Sequence, residues 1–185
     1  MDQEYAKPHV EVIARCRKGD RAAQYELYQL YAKAMLNTAY RIVGDPDDAE
    51  DVTQDAFVSA FRNLDSFKGT STFGAWLKRI VVNKAINFLK KKRPESMSML
   101  EISQQERAIS PESGHEEQDW QIEQIMKAMH KLPEGFRMVF SLYLVEGYDH
   151  AEVAEIMGIT ESTSKSQLNR AKKKIRELLK EEVIL

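Results

Sequence analysis

Residues 148–180 have the sequence YDHAEVAEIMGITESTSKSQLNRAKKKIRELLK, and this stretch predicts two helices joined by a tight turn. Asp149 can cap the first helix, and Glu152 follows three residues later, as a capping box requires. Gly158 stands where a helix ends with a positive φ, and Thr160 can cap the second helix. A short helix, a glycine turn and a second helix form the helix-turn-helix pattern, whose second helix can enter the DNA major groove.

The second of these helices has an inward side and a polar side. At about 100° per residue, its small and apolar side chains fall within an arc of about 80°. These are Ser164, Leu168, Ala171, Ile175 and Leu178. The opposite side carries Ser166, Asn169, Arg170 and Lys173. Amide and guanidinium groups can meet base edges there, so one interpretation is DNA binding. The other is a helical hairpin whose lysines form a solvated surface.

Charge is segregated along the chain, although the totals nearly cancel. The 185 residues include 27 Lys and Arg against 29 Asp and Glu, for a net charge of −2, so any affinity for nucleic acid comes from local patches. Basic side chains concentrate in residues 78–93 and 161–180, and acidic ones in residues 45–55 and 95–119. Cys16 is the one cysteine, which excludes an intrachain disulfide and argues against a thiolate zinc site.

Several function classes find no support in the sequence. The four histidines, His9, His115, His130 and His150, are scattered, and HEEQD at residues 115–119 lacks the second histidine of a zinc helix. We therefore expect no enzyme, no metal site and no cofactor. We find no signal peptide and no apolar run near membrane-spanning length, which predicts a cytoplasmic protein without stable membrane insertion.

The first part of the chain predicts a series of helices. A short helix is predicted over residues 10–17. Asp20 can then cap a long helix that continues to about Val43, and Gly44 with Pro46 marks its end.

The next helix, predicted over residues 48–64 with a capping box of Asp47 and Glu50, has two distinct faces. One face is apolar. The other carries what we call the docking strip: Asp51, Gln54 and Asp55. Acids in the first turn stabilise a helix by interacting with the positive end of its dipole. An exposed acidic strip can also bind a basic partner. The residues alone favour neither interpretation.

A third long helix is predicted over residues 73–91, capped by Ser71 or Thr72 after a loop that contains Phe67 and Lys68. One broad arc is apolar. A second arc, about 80° wide, carries what we call the strand face. Its members are Trp76, Arg79, Asn83, Asn87 and Lys90. Such a face suits single-stranded nucleic acid, because bases stack on the aromatic group, amides bind base edges and cations follow phosphates. The alternative is an ordinary core tryptophan at the border of a solvated face.

The helices divide into two groups. Residues 95–119 are rich in Ser, Glu and Gln, with Pro111 and Gly114, which predicts a flexible acidic linker. Helices are predicted on both sides of it, in domains of residues 8–94 and 120–181, and no segment shows a strand pattern. The fold class is therefore all-α, with two small helical domains.

Three stretches, in this order and spacing, resemble the extracytoplasmic-function (ECF) group of bacterial sigma factors in the sigma-70 family. DAEDVTQDAFVSAFRNLDSF resembles region 2.2. FKGTSTFGAWLKRIVVNKAINFLKKKR resembles regions 2.3 and 2.4. LPEGFRMVFSLYLVEGYDHAEVAEIMGITESTSKSQLNRAKKKIREL resembles region 4. A short linker in place of sigma region 3 is what defines this compact group.

The resemblance implies roles for the first domain, as sigma region 2. The docking strip would bind the clamp helices of the polymerase β′ subunit. Phe67 and Asn83 match positions that hold a base flipped out of the promoter −10 element, with Lys68 in the same loop. The other residues of the strand face would support the melted strand or the adjacent duplex.

The resemblance also implies roles for the second domain, as sigma region 4 with the β flap as a further polymerase contact. Four residues match positions that meet the −35 element: Lys165, Ser166, Asn169 and Arg170. Lys172 and Lys173 would lie near phosphates. Family members often carry an arginine where this chain has Gln167, so the phosphate contact there would be weaker or absent.

The resemblance as a whole implies a sigma factor that directs bacterial core RNA polymerase to specific promoters and captures the melted −10 strand. Many relatives are held by an anti-sigma factor, which makes such a factor an expected partner. The alternative is a stand-alone helix-turn-helix regulator with a helical N-terminal domain, which would act as a dimer on a palindromic site.

Overall fold

The computed structural model describes residues 9–92 and 116–183, with side chains described over residues 9–92 and 122–180. In these ranges the chain forms eight α-helices, one short 3-10 turn and one π-helical turn, and no strand. It divides into two compact units, Met1–Leu89 and Lys90–Leu185. The prediction of an all-α fold with two helical domains is confirmed.

The first unit consists of four α-helices and the 3-10 turn. They are α1 (Val10–Arg17), α2 (Arg21–Val43), α3 (Pro46–Arg62), the 3-10 turn (Leu64–Ser66) and α4 (Phe73–Lys92), whose last three residues extend past the boundary at Leu89. Both α1 and α3 pack against α2. No helix in the described residues is long and apolar enough to cross a membrane.

Two of the predicted helix caps in this unit are present. The Asp20 carboxylate accepts hydrogen bonds from the backbone N–H groups of Ala22 at 2.9 Å and Ala23 at 3.2 Å. The Thr72 hydroxyl accepts from the N–H of Ala75 at 3.2 Å, so Thr72 caps α4. Each cap satisfies N–H groups that have no partner inside the helix.

The predicted capping box of Asp47 and Glu50 is wrong, because α3 begins earlier. Its cap is Asp45, whose carboxylate accepts from the N–H groups of Asp47 at 3.0 Å and Asp48 at 3.1 Å. Pro46 supplies the reason, since its fixed φ and missing N–H suit the first helical position and leave Asp45 as the cap. The helix also ends at Arg62 rather than at residue 64.

Helix α4 is the most enclosed helix of the first unit. Its buried side chains are Phe73, Leu77, Val81, Val82, Ala85, Ile86 and Leu89. At about 100° per residue these positions span about 220° of the circumference, far more than the predicted apolar arc. Ile80 and Phe88, predicted within that arc, are only partly buried. Val82, Ile86 and Leu89 are buried outside that arc and extend the buried surface around the helix. Besides the strand face, Ala75, Lys91 and Lys92 are exposed on this helix.

The second unit also contains four α-helices. They are α5 (Glu116–His130), α6 (Glu134–Phe140), the π-helical turn (Ser141–Val145), α7 (His150–Met157) and α8 (Glu161–Val183). Helix α5 begins within the stretch predicted as linker, and the rest of that linker lies outside the described residues. The core includes Met129, Met138, Val139, Leu142 and Val153.

Helices α7 and α8 form the predicted helix-turn-helix. The Asp149 carboxylate accepts from the N–H of Glu152 at 2.8 Å, and the Glu152 carboxylate accepts from the N–H of Asp149 at 2.9 Å, which completes the capping box. Gly158 has a φ of 73°, the left-handed conformation that ends α7 and that glycine adopts without a Cβ clash. Thr160 accepts from the N–H of Thr163 at 3.1 Å and caps α8.

The capping box generates a stability prediction. Asp149→Ala should lower the free energy of unfolding of the second unit by about 1 kcal/mol, since the N–H of Glu152 loses its partner. Thermal unfolding of the full chain, followed by circular dichroism, measures the change. Glu155→Ala, at an exposed position of the same helix, should leave the midpoint within error. An Asp149→Ala midpoint equal to that of the parent chain would contradict the prediction.

Candidate nucleic-acid interface

The docking strip is exposed along one side of α3. Asp51, Gln54 and Asp55 are all solvent-accessible, and Val58, 47% exposed, continues the line toward the end of the helix. The opposite side of α3 is buried in the core through Ala49, Val52, Ala56 and Ala60. The first turn already holds two other acids, Asp47 and Asp48, so the dipole of α3 has acidic partners apart from the strip.

The strand face lies on the part of α4 that its core packing leaves open. Arg79, Asn83, Asn87 and Lys90 are exposed, and the indole of Trp76 is partly buried at the start of the row. The face therefore begins with an aromatic ring and continues as amides and cations. This is the combination that stacks on bases, bonds base edges and follows phosphates.

Phe67, in the loop between the 3-10 turn and α4, is buried rather than exposed. The Phe67 side chain is 8% exposed. Its ring meets Phe73 edge-on at 5.7 Å between centroids and lies 5.3 Å from the ring of Trp76. Phe67 therefore has little surface to offer an incoming base, and Trp76 beside it has more. Lys68, the next residue, is exposed.

These three rings belong to an aromatic cluster that joins α2 to α4. Tyr31 of α2 meets Phe73 at 5.4 Å in a tilted edge contact, and burial raises the pKa of the Tyr31 hydroxyl. Gly74 allows the close approach, because a Cβ there would lie 2.9 Å from Cε1 of Tyr31. The base of the loop is thus packed on two helices.

The polar side of α8, which we call the recognition face, is exposed as predicted. Lys165, Ser166, Asn169, Arg170 and Lys173 are accessible, and Lys172 is partly buried. Two of them already have contacts within the helix. Lys165 forms an ion pair with Glu161 at 3.4 Å, and the Ser166 hydroxyl donates to the carbonyl of Thr163 at 2.9 Å. Asn169 and Arg170 lie in the middle of the exposed row.

Gln167 lies on the inward side of α8. Its side chain is 6% exposed, and its Oε1 is buried without a hydrogen-bond partner. The side chain therefore points away from the exposed face of α8. The weaker or absent phosphate contact at this position stays a prediction, which the burial of Gln167 supports.

One contact across the helix-turn-helix was not predicted. Nδ1 of His150, at the start of α7, lies 2.8 Å from the hydroxyl of Ser164, which is fully buried in α8. The ring of Tyr143 stacks on His150 at 4.2 Å. Spacing placed Ser164 on the inward side, but only the crossing of the two helices could pair it with a histidine.

Other reactive side chains do not form a site of their own. Cys16 is buried, and desolvation raises the pKa of its thiol, which keeps it protonated at neutral pH. Within residues 9–92 and 116–183 no group of three or more His, Cys, Asp or Glu side chains is arranged to hold a metal ion.

Comparison with known proteins matches each unit to a known region. Residues 27–95 match Sigma-70 region 2, and residues 122–175 match Sigma-70 region 4. The ECF RNA polymerase sigma-E factor of Escherichia coli (strain K12) is 33% identical over 181 residues, covering 89% of this chain and 90% of the relative. The chain belongs to the ECF sigma factors of the sigma-70 family. Sigma factors are non-catalytic transcription initiation factors.

Two further relatives resemble this sigma factor over most of its length. The ECF RNA polymerase sigma factor SigW of Bacillus subtilis (strain 168) is 28% identical, covering 91% of this chain and 95% of the relative. The solved structure of the sigma factor RpoE, in complex with the anti-sigma factor NepR from Bartonella quintana, is 27% identical with a TM-score of 0.58. It covers 84% of this sigma factor and 96% of the solved chain. The match to region 2 contains the docking strip and the strand face, and the match to region 4 contains the recognition face.

The recognition face generates a prediction for the sigma factor. Arg170→Glu should weaken binding of polymerase holoenzyme to promoter duplex at least about tenfold, because a cation near the DNA becomes an anion. Electrophoretic mobility shift with reconstituted holoenzyme measures the effect. Lys33→Glu, an exposed change of the same charge on α2 in the other unit, should bind as the parent does. If both variants bound the promoter duplex as the parent does, α8 would not be part of the DNA interface.

Proposed function

We propose that this sigma factor directs core RNA polymerase to its promoters by reading a −35 element with α8 and by capturing the melted −10 strand on α4. The observation that supports this most is the separation of three polar surfaces. An acidic strip on α3 and an aromatic, amide and basic face on α4 share one unit, while the second unit presents a helix-turn-helix. A sigma factor needs one such surface for the polymerase and two for DNA.

The docking strip would bind the polymerase. Asp51, Gln54 and Asp55 suit the clamp helices of the β′ subunit if these present basic side chains, since opposite charges steer and orient an encounter. The β flap would hold the second unit. Polymerase would thereby set the distance between two DNA-binding modules that bind weakly alone, which makes their joint binding selective. This accounts for action on DNA by a chain of net charge −2.

The strand face would hold the melted −10 strand. Extracting one base from the stack costs a few kcal/mol, and a protein surface must offset this cost. Asn83 would bond the edge of the base, and Trp76 at the start of the row would stack on it, with Phe67 packed against Trp76 as support. Arg79, Asn87 and Lys90 would follow the strand or the adjacent duplex, and Lys68 would contact it from the loop.

The recognition face would anchor the upstream element. Asn169 and Arg170 would reach base edges of the −35 element in the major groove, and Lys165 and Ser166 would meet it beside them. Lys172 and Lys173 would lie near phosphates. Lys165 would have to exchange its ion pair with Glu161 for a contact with DNA, an exchange that costs little between exposed groups.

Further expectations complete the proposal. The polymerase performs the chemistry, so the chain is not an enzyme and acts in the cytoplasm with the polymerase. An anti-sigma factor is an expected partner, as for the Bartonella quintana RpoE bound to NepR. The proposed limits are residues 8–94 for region 2, 95–119 for the linker and 120–181 for region 4.

Transcription in vitro tests the function directly. The template carries a promoter mapped by sequencing the start sites of transcripts that overproduction of the chain raises. Core polymerase should make RNA from this start site only when the chain is added, and the chain alone should bind the duplex poorly at physiological salt. Tight promoter binding by the isolated chain as a dimer, with no effect on core polymerase, would instead support the stand-alone regulator.

Asp55→Arg tests the docking strip. The change replaces an anion with a cation at one end of the strip, so affinity for core polymerase should fall at least about tenfold and transcription should fall with it. Fluorescence anisotropy with labelled chain measures the affinity, and thermal unfolding checks the fold. The control is Glu11→Arg, the same change of charge at an exposed position of α1 in the same unit. Equal loss in the two variants would argue against a defined strip.

Asn83→Ala tests the strand face. Loss of the amide should leave affinity for core polymerase unchanged and reduce promoter opening about tenfold, because the base edge loses its hydrogen-bond partner. Permanganate reactivity of thymines around the start site measures opening. Gln29→Ala, which removes an exposed amide from α2, should open the promoter normally. Normal opening by the Asn83→Ala holoenzyme would refute the assignment.

A further inference from the structure

A long-range hydrogen bond joins the first helix of the chain to the loop before α4. An Nη atom of Arg17, the last residue of α1, donates to the backbone carbonyl of Phe67 at 2.6 Å, across 50 positions of sequence. A charged donor at this distance forms one of the stronger hydrogen bonds in proteins. Neither the sequence pattern nor the comparisons assign a role to Arg17.

The carbonyl of Phe67 lies at one end of a short loop whose other end is also fixed. Phe67 closes the 3-10 turn by donating its N–H to Leu64 at 3.1 Å, and its ring is held in the aromatic cluster. Thr72, at the far end, caps α4. Between the two lie four residues, among them the exposed Lys68 and Gly69, whose φ is 70°. A loop this short, with both ends fixed, has few conformations left.

We infer that Arg17 is a positioning residue for strand capture, which fixes the loop at residues 67–72 beside Trp76 so that the loop and the strand face form one preorganised surface. This rests on the function proposed above. The physical reason is preorganisation, since a surface already held in its binding conformation loses less entropy when the strand binds. Arg17 itself need not touch DNA.

The neighbouring Arg15 shows that α1 has separate contacts for its own attachment. Arg15 forms ion pairs with Asp20 at 2.7 Å and Glu26 at 3.6 Å, which join α1 to the start of α2. Ile13 and Cys16 bury the apolar side of α1. The hydrogen bond of Arg17 is thus not the contact that docks α1, so its loss should affect the loop more than the fold.

The experiment uses reconstituted holoenzyme and three variants of the full chain. Arg17→Met keeps a long side chain without a donor, Arg17→Lys restores a cationic donor, and Arg15→Met is the matched control on the same helix. The probe is a fluorescent single-stranded oligonucleotide that carries the nontemplate −10 segment of the mapped promoter. For each variant we measure the dissociation constant of this oligonucleotide, the affinity for core polymerase and the thermal midpoint of the free chain.

The expected result is selective. Arg17→Met should weaken binding of the oligonucleotide about fivefold to tenfold, because the loop must then be ordered when the strand binds, with core affinity and thermal midpoint little changed. Arg17→Lys should recover most of the affinity, and Arg15→Met should bind the strand as the parent does. Parental binding by Arg17→Met overturns the inference, as does an equal loss of strand binding and core binding. Failure of the parent holoenzyme to bind the strand overturns the proposed function, and this inference with it.

Discussion

The burial of α4 is the constraint on which the first unit depends. Because the buried side chains span about 220° of this helix, its exposed polar residues lie in one narrow row, apart from Lys91 and Lys92 at the end of the helix. That row is the strand face. The same packing brings Phe73 and Trp76, at the start of α4, against Phe67, so the loop that precedes the helix is attached to it by ring contacts. The strand face and the loop beside it are thus positioned by the hydrophobic core.

In the second unit, local hydrogen bonds fix where α7 and α8 begin and end and how the two helices are joined. The capping box of Asp149 and Glu152 starts α7, the left-handed Gly158 ends it, and Thr160 starts α8 after a single intervening residue. The contact between His150 and Ser164 then joins the beginning of α7 to the inward side of α8. With this side fixed, Asn169 and Arg170 face outward. The two units use different physical means to reach the same result, a polar face on a helix that cannot rotate.

Division of charge between surfaces explains how a nearly neutral sigma factor can have two kinds of partner. The acidic docking strip on α3 and the cations on α4 belong to the same unit, yet they lie on different helices with different neighbours. Each surface carries charge of one sign, so each can attract a partner of the opposite sign. The partners of this chain are therefore indicated by the positions of its charged groups rather than by its net charge.

The sequence by itself determined most of the local structure. Helical periodicity, the caps at Asp20, Thr72, Asp149 and Thr160, and the glycine turn were all predictable, because they depend on residues within one turn of each other. The error at α3, where Asp45 rather than Asp47 forms the cap, came from two acids of similar capping strength on either side of Pro46, whose preference for the first helical position selects Asp45.

Only the tertiary structure decided which predicted side chains are accessible. Phe67 is buried in an aromatic cluster, Gln167 points into the second unit, and Arg17 bonds a carbonyl 50 residues away. Each of these depends on the packing of elements distant in sequence, which helical periodicity does not encode. The pattern on one helix gives the direction of a side chain, whereas its burial depends on the neighbours that the fold brings to it.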